Sequence, residues 1–547
     1  MPFELALGFV LVAITAFAAV VARRLWVPHS ILLVVLGVAL AFVPGLPRVT
    51  IDPELVLLLL LPPLLYSSGV GMSWRGFRSN LRPILLLAVG CVLFTAAAVA
   101  AATHILFGLS WALGFVLGAV VSPPDSVAPM AIARRLAVPS RVLTVLEGEG
   151  LVNDATALIL FSFAVAAVVK GGVSITDAAL SFVVIVGGEM AWGLCVGWGL
   201  LRMRYLVCDP QVEIVLALLT PYVAFWPPHL LHGSGVLATV AAGLYVSWNG
   251  PRFIAPATRL QGFFVWGLVV YLIEGVMFLL TGLQAHVVAS GITDGDWRRL
   301  VWAGLLTSAV VVLVRFVWVF PATYLPRWAS ARLRARDPLP PWQLPFMIGF
   351  TGIRGGVSVA AALSIPLVAG AAPFPDRDLV LFATFCVILV TLVGQGTALP
   401  WVIVWLGLAD AGRAEAAEAK RREVEARIAG IDAVLARLDA VEREGAFPEA
   451  ARILRELHQE RRAEFVGTAD ETVPGSPVAD VAALQLQLIE AERRALAQLY
   501  ARDGVTDEAR RRIERELDLE DARTRHAAES ATGDDVQADP SMGGEAA

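Results

Sequence analysis

Long apolar stretches alternate with short, arginine-rich links over the first three quarters of the chain, and the last quarter is charged throughout. Residues 5–21, 56–70, 84–106 and 379–406 typify the apolar stretches. At about 1.5 Å per residue the longer ones cover the roughly 30 Å of hydrocarbon in a bilayer. The pattern predicts thirteen spans, near 3–22, 30–45, 54–72, 83–107, 111–133, 143–169, 177–201, 211–227, 233–248, 264–290, 300–321, 343–370 and 378–407. Composition agrees with that reading: 57% of residues are hydrophobic and 17% charged, and mean hydropathy is +0.69. These values place the chain among polytopic membrane proteins and outside the soluble globular classes. The N-terminus shows no basic start or small-residue cleavage site, so the first span is expected to be retained. Cys91, Cys195, Cys208 and Cys386 are scattered and predict neither a disulfide framework nor a metal-ligand spacing.

Charge orients the spans. The odd-numbered links hold sixteen basic residues, among them Arg75, Arg78, Arg82, Arg134, Arg135 and Arg141, and the even-numbered links hold five. Basic residues gather on the cytoplasmic side. The N-terminus is therefore expected outside and the C-terminus in the cytoplasm, across the plasma membrane. Residues 1–408 carry 23 Lys and Arg against 17 Asp and Glu, whereas 409–547 carry 20 against 31. The expected organisation is a transmembrane domain over 1–408 and a charged, helical cytoplasmic region over 409–547. Within that region 411–465 reads as helix, with Glu418–Arg422 and Glu423–Arg427 at i,i+4 spacing. Residues 465–477 read as a linker, 478–502 and 506–528 as a helical pair, and about 530–547 as a disordered end.

Two spans are poor helices. The fifth contains Ser122-Pro123-Pro124-Asp125-Ser126, and the twelfth contains Gly349-Phe350-Thr351-Gly352-Ile353-Arg354-Gly355-Gly356. Consecutive prolines remove backbone donors in mid-membrane. Irregular backbone at that depth persists only where protein or a water-filled cavity surrounds it. The two spans lie seven apart and so run in opposite directions, as interrupted helices of two inverted halves do at a transporter's binding site. The fold expected is an all-α membrane protein of about thirteen helices in inverted repeats, two of them broken.

Each interruption carries an ionisable side chain, and a third lies in span six. There, Asn153-Asp154 sits inside a stretch apolar enough to cross the bilayer. A carboxylate at that depth is costly unless it binds a cation, takes a proton or lines water. The first two exclude each other at one pair of oxygens, and that competition can couple cation movement to proton movement. Asp154 and Asp125 are the expected metal-cation ligands, with Ser126 a neutral oxygen nearby and unwound carbonyls completing the shell. Asn153 can bond a broken backbone but cannot titrate, which leaves one exchangeable charge and favours an electroneutral one-for-one cycle. Glu149 is rotated about 140° from Asp154, and a structural pairing with Arg354 is expected. Glu147, on the same helical face as Asp154 two turns away, reads as an interfacial residue near Arg141 or alternatively as an entry-side acid. Glu213 is expected near solvent at a span end, Glu189 has no assignment, Glu274 is deep with no adjacent base, and Arg315 is expected to pair with one of these acids.

The chain resembles the monovalent cation:proton antiporter-1 family of Na⁺/H⁺ exchangers. The resemblance rests on Leu61-Pro62-Pro63-Leu64-Leu65-Tyr66, Ser122-Pro123-Pro124-Asp125, Glu149-Gly150-Leu151-Val152-Asn153-Asp154, Gly352-Ile353-Arg354-Gly355-Gly356-Val357-Ser358 and Gln395-Gly396-Thr397-Ala398-Leu399-Pro400. It implies a homodimer working by an elevator-like motion, with Asp154 as the shared ion and proton site, Asn153 and Asp125 its neighbours, and Glu149 with Arg354 as a structural ion pair. Three positions depart from the family pattern: Ser67 where an acid is common, Pro124-Asp125-Ser126 for Thr-Asp-Pro, and Gly150 for Ser. Glu274, where Asn is common, is a possible additional acid. The resulting expectation is a transporter and not an enzyme, exchanging Na⁺, or alternatively K⁺, for H⁺. It would have no cofactor and no nucleic-acid partner, with monovalent cations, protons, membrane lipid and a second copy as partners. A proton-gated cation channel and an organic-anion symporter are the contrasting readings.

Overall fold

The computed structural model describes residues 3–532 except 26–27, 45–53, 55, 173, 208, 232, 291–296, 370–371, 445–446, 470–476 and 503–506. The chain is almost wholly helical and falls into two compact units, Met1–Arg413 and Ala414–Ala547.

In the first unit, six described helices are long and apolar enough to cross a bilayer. They are Leu81–Phe107, Ser140–Lys170, Ala178–Val207, Pro256–Ser290, Trp297–Ala329 and Arg377–Trp405. Shorter apolar helices Gly8–Ala22, His29–Ala41, Val56–Gly71 and Trp111–Val121 pack among them, as do Pro210–Leu230 and Val236–Phe253. Large hydrophobic side chains such as Phe17, Leu206, Phe263 and Trp401 stand exposed on their outer faces. A water-soluble fold leaves no such continuous apolar exterior, and a hydrocarbon solvent accounts for it. Inside, small residues let helices touch backbone to backbone, as in other membrane bundles. A Cβ at Gly282 would come within 2.3 Å of the Val34 carbonyl oxygen, and one at Gly37 within 2.4 Å of the Leu279 carbonyl oxygen. This contact fixes the helix that carries Glu274 against His29–Ala41.

Two expected spans are not continuous helices. Residues 111–133 divide into Trp111–Val121 and Val127–Arg135. Residues 343–370 divide into Gln343–Phe350 and Gly356–Leu363, followed by a two-stranded antiparallel hairpin pairing Val368 with Pro373 and Ala369 with Ala372. Pro366 ends helix propagation ahead of that hairpin.

In the second unit, the expected helix over 411–465 is two helices, Leu408–Arg443, which begins in the first unit, and Pro448–Ala469. The restart has proline at the first helical position, where its missing N–H is harmless. Helix continues through Phe465 and Thr468, so the first part of the expected linker is not irregular; 470–476 lie outside the described residues. Pro477–Ala501 and Asp507–Thr532 follow, and the expected disordered end lies outside the described residues from 533 on. Glu418–Arg422 and Glu423–Arg427 form ion pairs. Their exposure makes each worth only a few tenths of a kcal/mol, roughly 0.3–0.5. Buried Ile489, Leu496 and Leu517 supply apolar contacts in this unit.

Candidate ion-binding site

The backbone gaps after Val121 and Phe350 meet each other. The Asp125 N–H donates to the Ile353 carbonyl at 2.7 Å. Arg354, 1% exposed, donates from Nε to the Val121 carbonyl at 2.8 Å, from Nη2 to the Ser122 carbonyl at 3.1 Å, and from Nη1 to Gly352. The last carbonyls of a helix lack intrahelical partners and carry the negative end of its dipole. The guanidinium therefore closes the C-terminus of helix Trp111–Val121. Asp125 performs the opposite task, its Oδ1 accepting from the Val127 N–H at 2.9 Å at the start of the next helix. The Arg354 N–H donates to Thr391 Oγ1 at 3.0 Å, and Gln395 Nε2 donates to the Phe350 carbonyl at 3.2 Å. Glycine is required at 355, because a Cβ there would lie 2.1 Å from Asp125 Oδ2.

Helix Ser140–Lys170 passes beside this crossing. Asn153, fully buried, donates through Nδ2 to the Pro124 carbonyl at 2.7 Å. The amide satisfies a carbonyl that the interruption frees and holds helix and gap in register. Its neighbour Asp154 lines a cavity with Asp125, Ser126, Glu147, Glu274 and Ser358. It also lines a smaller neighbouring cavity with Phe161, Val357 and Ser358. Among the described residues neither Asp154 nor Glu274 has a hydrogen-bond donor or ion-pair partner. Asp125 is near enough to each for the charges to interact. No three Asp, Glu, His or Cys side chains among the described residues converge as a metal-ligand cluster, so Glu274 stands in the cavity wall and not in a shared three-carboxylate shell.

The position of Ser126 bears on a departure noted from the sequence. A Cβ at Gly150 would lie 2.3 Å from Ser126 Oγ. A side chain at 150 and the Ser126 hydroxyl therefore exclude each other. Ser67, where an acid is common, is not among the cavity-lining residues, whereas Ser68 is.

The expected pairing of Glu149 with Arg354 is not the one found. Glu149 is held by Arg315, Nη1 to Oε1 at 2.6 Å and Nη2 to Oε2 at 2.7 Å, with both side chains 2% exposed. Arg315 Nε donates to the Ile348 carbonyl at 3.0 Å. The physical reason lies in backbone supply. Arg354 sits in a helix interruption whose freed carbonyls take its donors, whereas Arg315, in the middle of an unbroken helix, meets one carbonyl through Nε and needs an acid for its two terminal nitrogens. Among the other acids, Glu147 pairs with Arg134 at 3.4 Å, and Arg141 turns to Asp337. Glu213 is 2% exposed, contrary to the solvated position expected. Glu189 caps helix Val236–Phe253, accepting from the Ser234, Gly235 and Leu237 N–H groups at 2.5, 3.0 and 3.1 Å.

Residues 10–405 match the family of transmembrane sodium/hydrogen exchangers. The chain belongs to that family. An uncharacterised Na⁺/H⁺ exchanger of Mycobacterium tuberculosis is 34% identical over 529 residues, 95% of this chain and 96% of the relative. A sodium, potassium, lithium and rubidium/H⁺ antiporter of Bacillus pumilus is 32% identical over 72% of this chain and 60% of its own length. Among solved structures, the sodium proton antiporter MjNhaP1 of Methanocaldococcus jannaschii aligns with a TM-score of 0.59 at 18% identity, over 74% of this chain and 98% of that one. The resemblance drawn from the five motifs is borne out, and the chain is a multi-pass membrane protein of an antiporter family.

Proposed function

We propose that the chain exchanges one monovalent cation, Na⁺ foremost, for one H⁺ by alternating access, with Asp154 the site the two ions share. The observation that carries this reading is the place of Asp154: beside Asp125 and the crossed gaps, with no partner of its own among the described residues, and in the lining of both a larger and a smaller cavity. The larger cavity extends toward Glu147, near the basic links that the orientation rule assigns to the cytoplasm. Asp154 and Asp125 supply carboxylate oxygens to the cation and Ser126 a hydroxyl. Asn153 holds the gap and contributes no charge of its own, which supports a one-for-one, electroneutral cycle. Glu149 serves as a structural acid with Arg315, while Arg354 serves the helix end. Glu274 concentrates cations in the cavity without coordinating them. In this reading the membrane unit comprises thirteen spans in inverted repeats, with the two interrupted helices at corresponding positions. It works as a homodimer in the plasma membrane, with the N-terminus outside and the region beyond 409 in the cytoplasm.

K⁺ is the second candidate cation, because the Bacillus pumilus relative is described as transporting potassium besides sodium. Asp154→Asn tests the assignment, since it keeps the side-chain volume and removes the titrating charge. Purified variant in proteoliposomes should show no cation-driven pH change with Na⁺, K⁺ or Li⁺ while remaining monodisperse. Near-normal exchange would refute it.

A further inference from the structure

On the side of the bundle to which the basic links belong, three arginines from three elements close on one carboxylate. Asp337 accepts from Arg82 at 2.9 Å, Arg141 at 2.7 Å and Arg327 at 2.6 Å. Burial alone would raise the Asp337 carboxyl, but Arg141, Arg327 and Arg82 hold it below the usual carboxylate range. It stays ionised, and the cluster keeps two positive charges in excess. The Arg82 and Arg141 side chains remain 29% and 43% exposed beside the carboxylate. These arginines edge a shallow surface cleft whose remaining wall is largely apolar, including Leu86, Val145, Val319 and Leu344. The depth is marked independently. Tyr324 and Trp328 stack at 6.0 Å on the helix that carries Arg327, and Trp328 is exposed there, as is Trp342 at the start of helix Gln343–Phe350. Aromatic side chains of this kind collect where headgroups meet hydrocarbon.

We propose that this cleft seats an anionic phospholipid, its phosphate on Arg82 and Arg141 and an acyl chain along the apolar wall. A phosphate diester brings acceptor oxygens to the exposed parts of the Arg82 and Arg141 guanidinium side chains and neutralises the surplus charge. A free inorganic anion would leave the apolar wall unused. Basic pockets between membrane helices recognise lipid headgroups by this chemistry. The bound lipid would tie helices Leu81–Phe107, Ser140–Lys170 and Trp297–Ala329 together through the same arginines that hold Asp337.

The test titrates the full-length protein in neutral detergent with dioleoyl phosphatidylglycerol, dioleoyl phosphatidylcholine or inorganic phosphate. Thermal unfolding and native mass spectrometry serve as readouts. Phosphatidylglycerol should raise the unfolding temperature and appear as a bound adduct, and the other two should do neither. The Arg82→Gln/Arg141→Gln double variant should bind phosphatidylglycerol about thirtyfold more weakly. Asp337→Asn removes the competing acid and should bind it more tightly, an effect that a purely structural tie would not give. Equal responses to phosphatidylcholine or to inorganic phosphate would overturn the proposal, as would unchanged or weaker lipid binding by Asp337→Asn.

Discussion

Replacing Arg315 by Met takes away the guanidinium that both oxygens of Glu149 accept from, at 2.6 and 2.7 Å, in a site 2% exposed on either side. The carboxylate is left charged and without its partner in low dielectric. Breaking a buried pair from one side costs about 3–5 kcal/mol. The Ile348 carbonyl also loses one donor but keeps the Thr351 hydroxyl at 3.1 Å, so the stranded carboxylate dominates the cost. Removing the acid as well changes the outcome. A buried pair replaced by apolar side chains of similar volume is often neutral, so Glu149→Leu/Arg315→Met should regain most of what Arg315→Met loses. Arg354→Met should behave differently, because it strands the Val121 and Ser122 carbonyls, which a change at Glu149 cannot satisfy. The assay is thermal unfolding in detergent at a fixed scan rate, followed by the fluorescence of the 15 tryptophans. A fixed rate matters because unfolding of such proteins is commonly irreversible. A double variant no more stable than Arg315→Met, or rescue of Arg354→Met by Glu149→Leu, would refute the assignment.

Other predictions concern the cavity. Glu274→Gln should raise the half-maximal cation concentration several-fold in proteoliposome exchange while leaving the maximal rate near wild type; loss of the maximal rate would make Glu274 a member of the coordination shell. Gly355→Ala should displace the Asp125 carboxylate, given the 2.1 Å approach to a Cβ there, and reduce exchange at least tenfold without altering any charge; normal exchange would show that the crossing tolerates a side chain.

The helical, membrane-embedded character was legible from the apolar stretches, and the ends of the long helices fall within a few residues of the pattern for Ser140–Lys170 and Arg377–Trp405. Proline and glycine marked where helix stops at 122 and 351, because backbone chemistry decides that locally. The partners of buried charges were harder to read. Glu149 and Arg315 are 166 positions apart, and the mean apolar pattern carries no information on which helices face each other. A partial signal for Arg315 did exist: an arginine in a glycine-rich gap has several freed carbonyls around it, as Arg354 does, whereas one inside an unbroken helix has to find an acid for its terminal nitrogens. The Ser126 and Gly150 exchange was visible as two departures from a pattern, but their mutual exclusion required the approach of the two segments. Glu213 was misplaced because proximity to a span end says nothing about which neighbouring helix covers it.

The central claim, one carboxylate shared by cation and proton, is tested most directly by measuring the half-maximal cation concentration for exchange in proteoliposomes at a series of pH values. Linkage requires that each ion lower the apparent affinity for the other by the same factor. With Asp154 shared, the half-maximal concentration should rise about tenfold per pH unit on the acid side of the carboxylate's titration and level off on the alkaline side. A half-maximal concentration that stays constant across the range while the maximal flux changes would contradict the shared site, even if Asp154→Asn proved inactive.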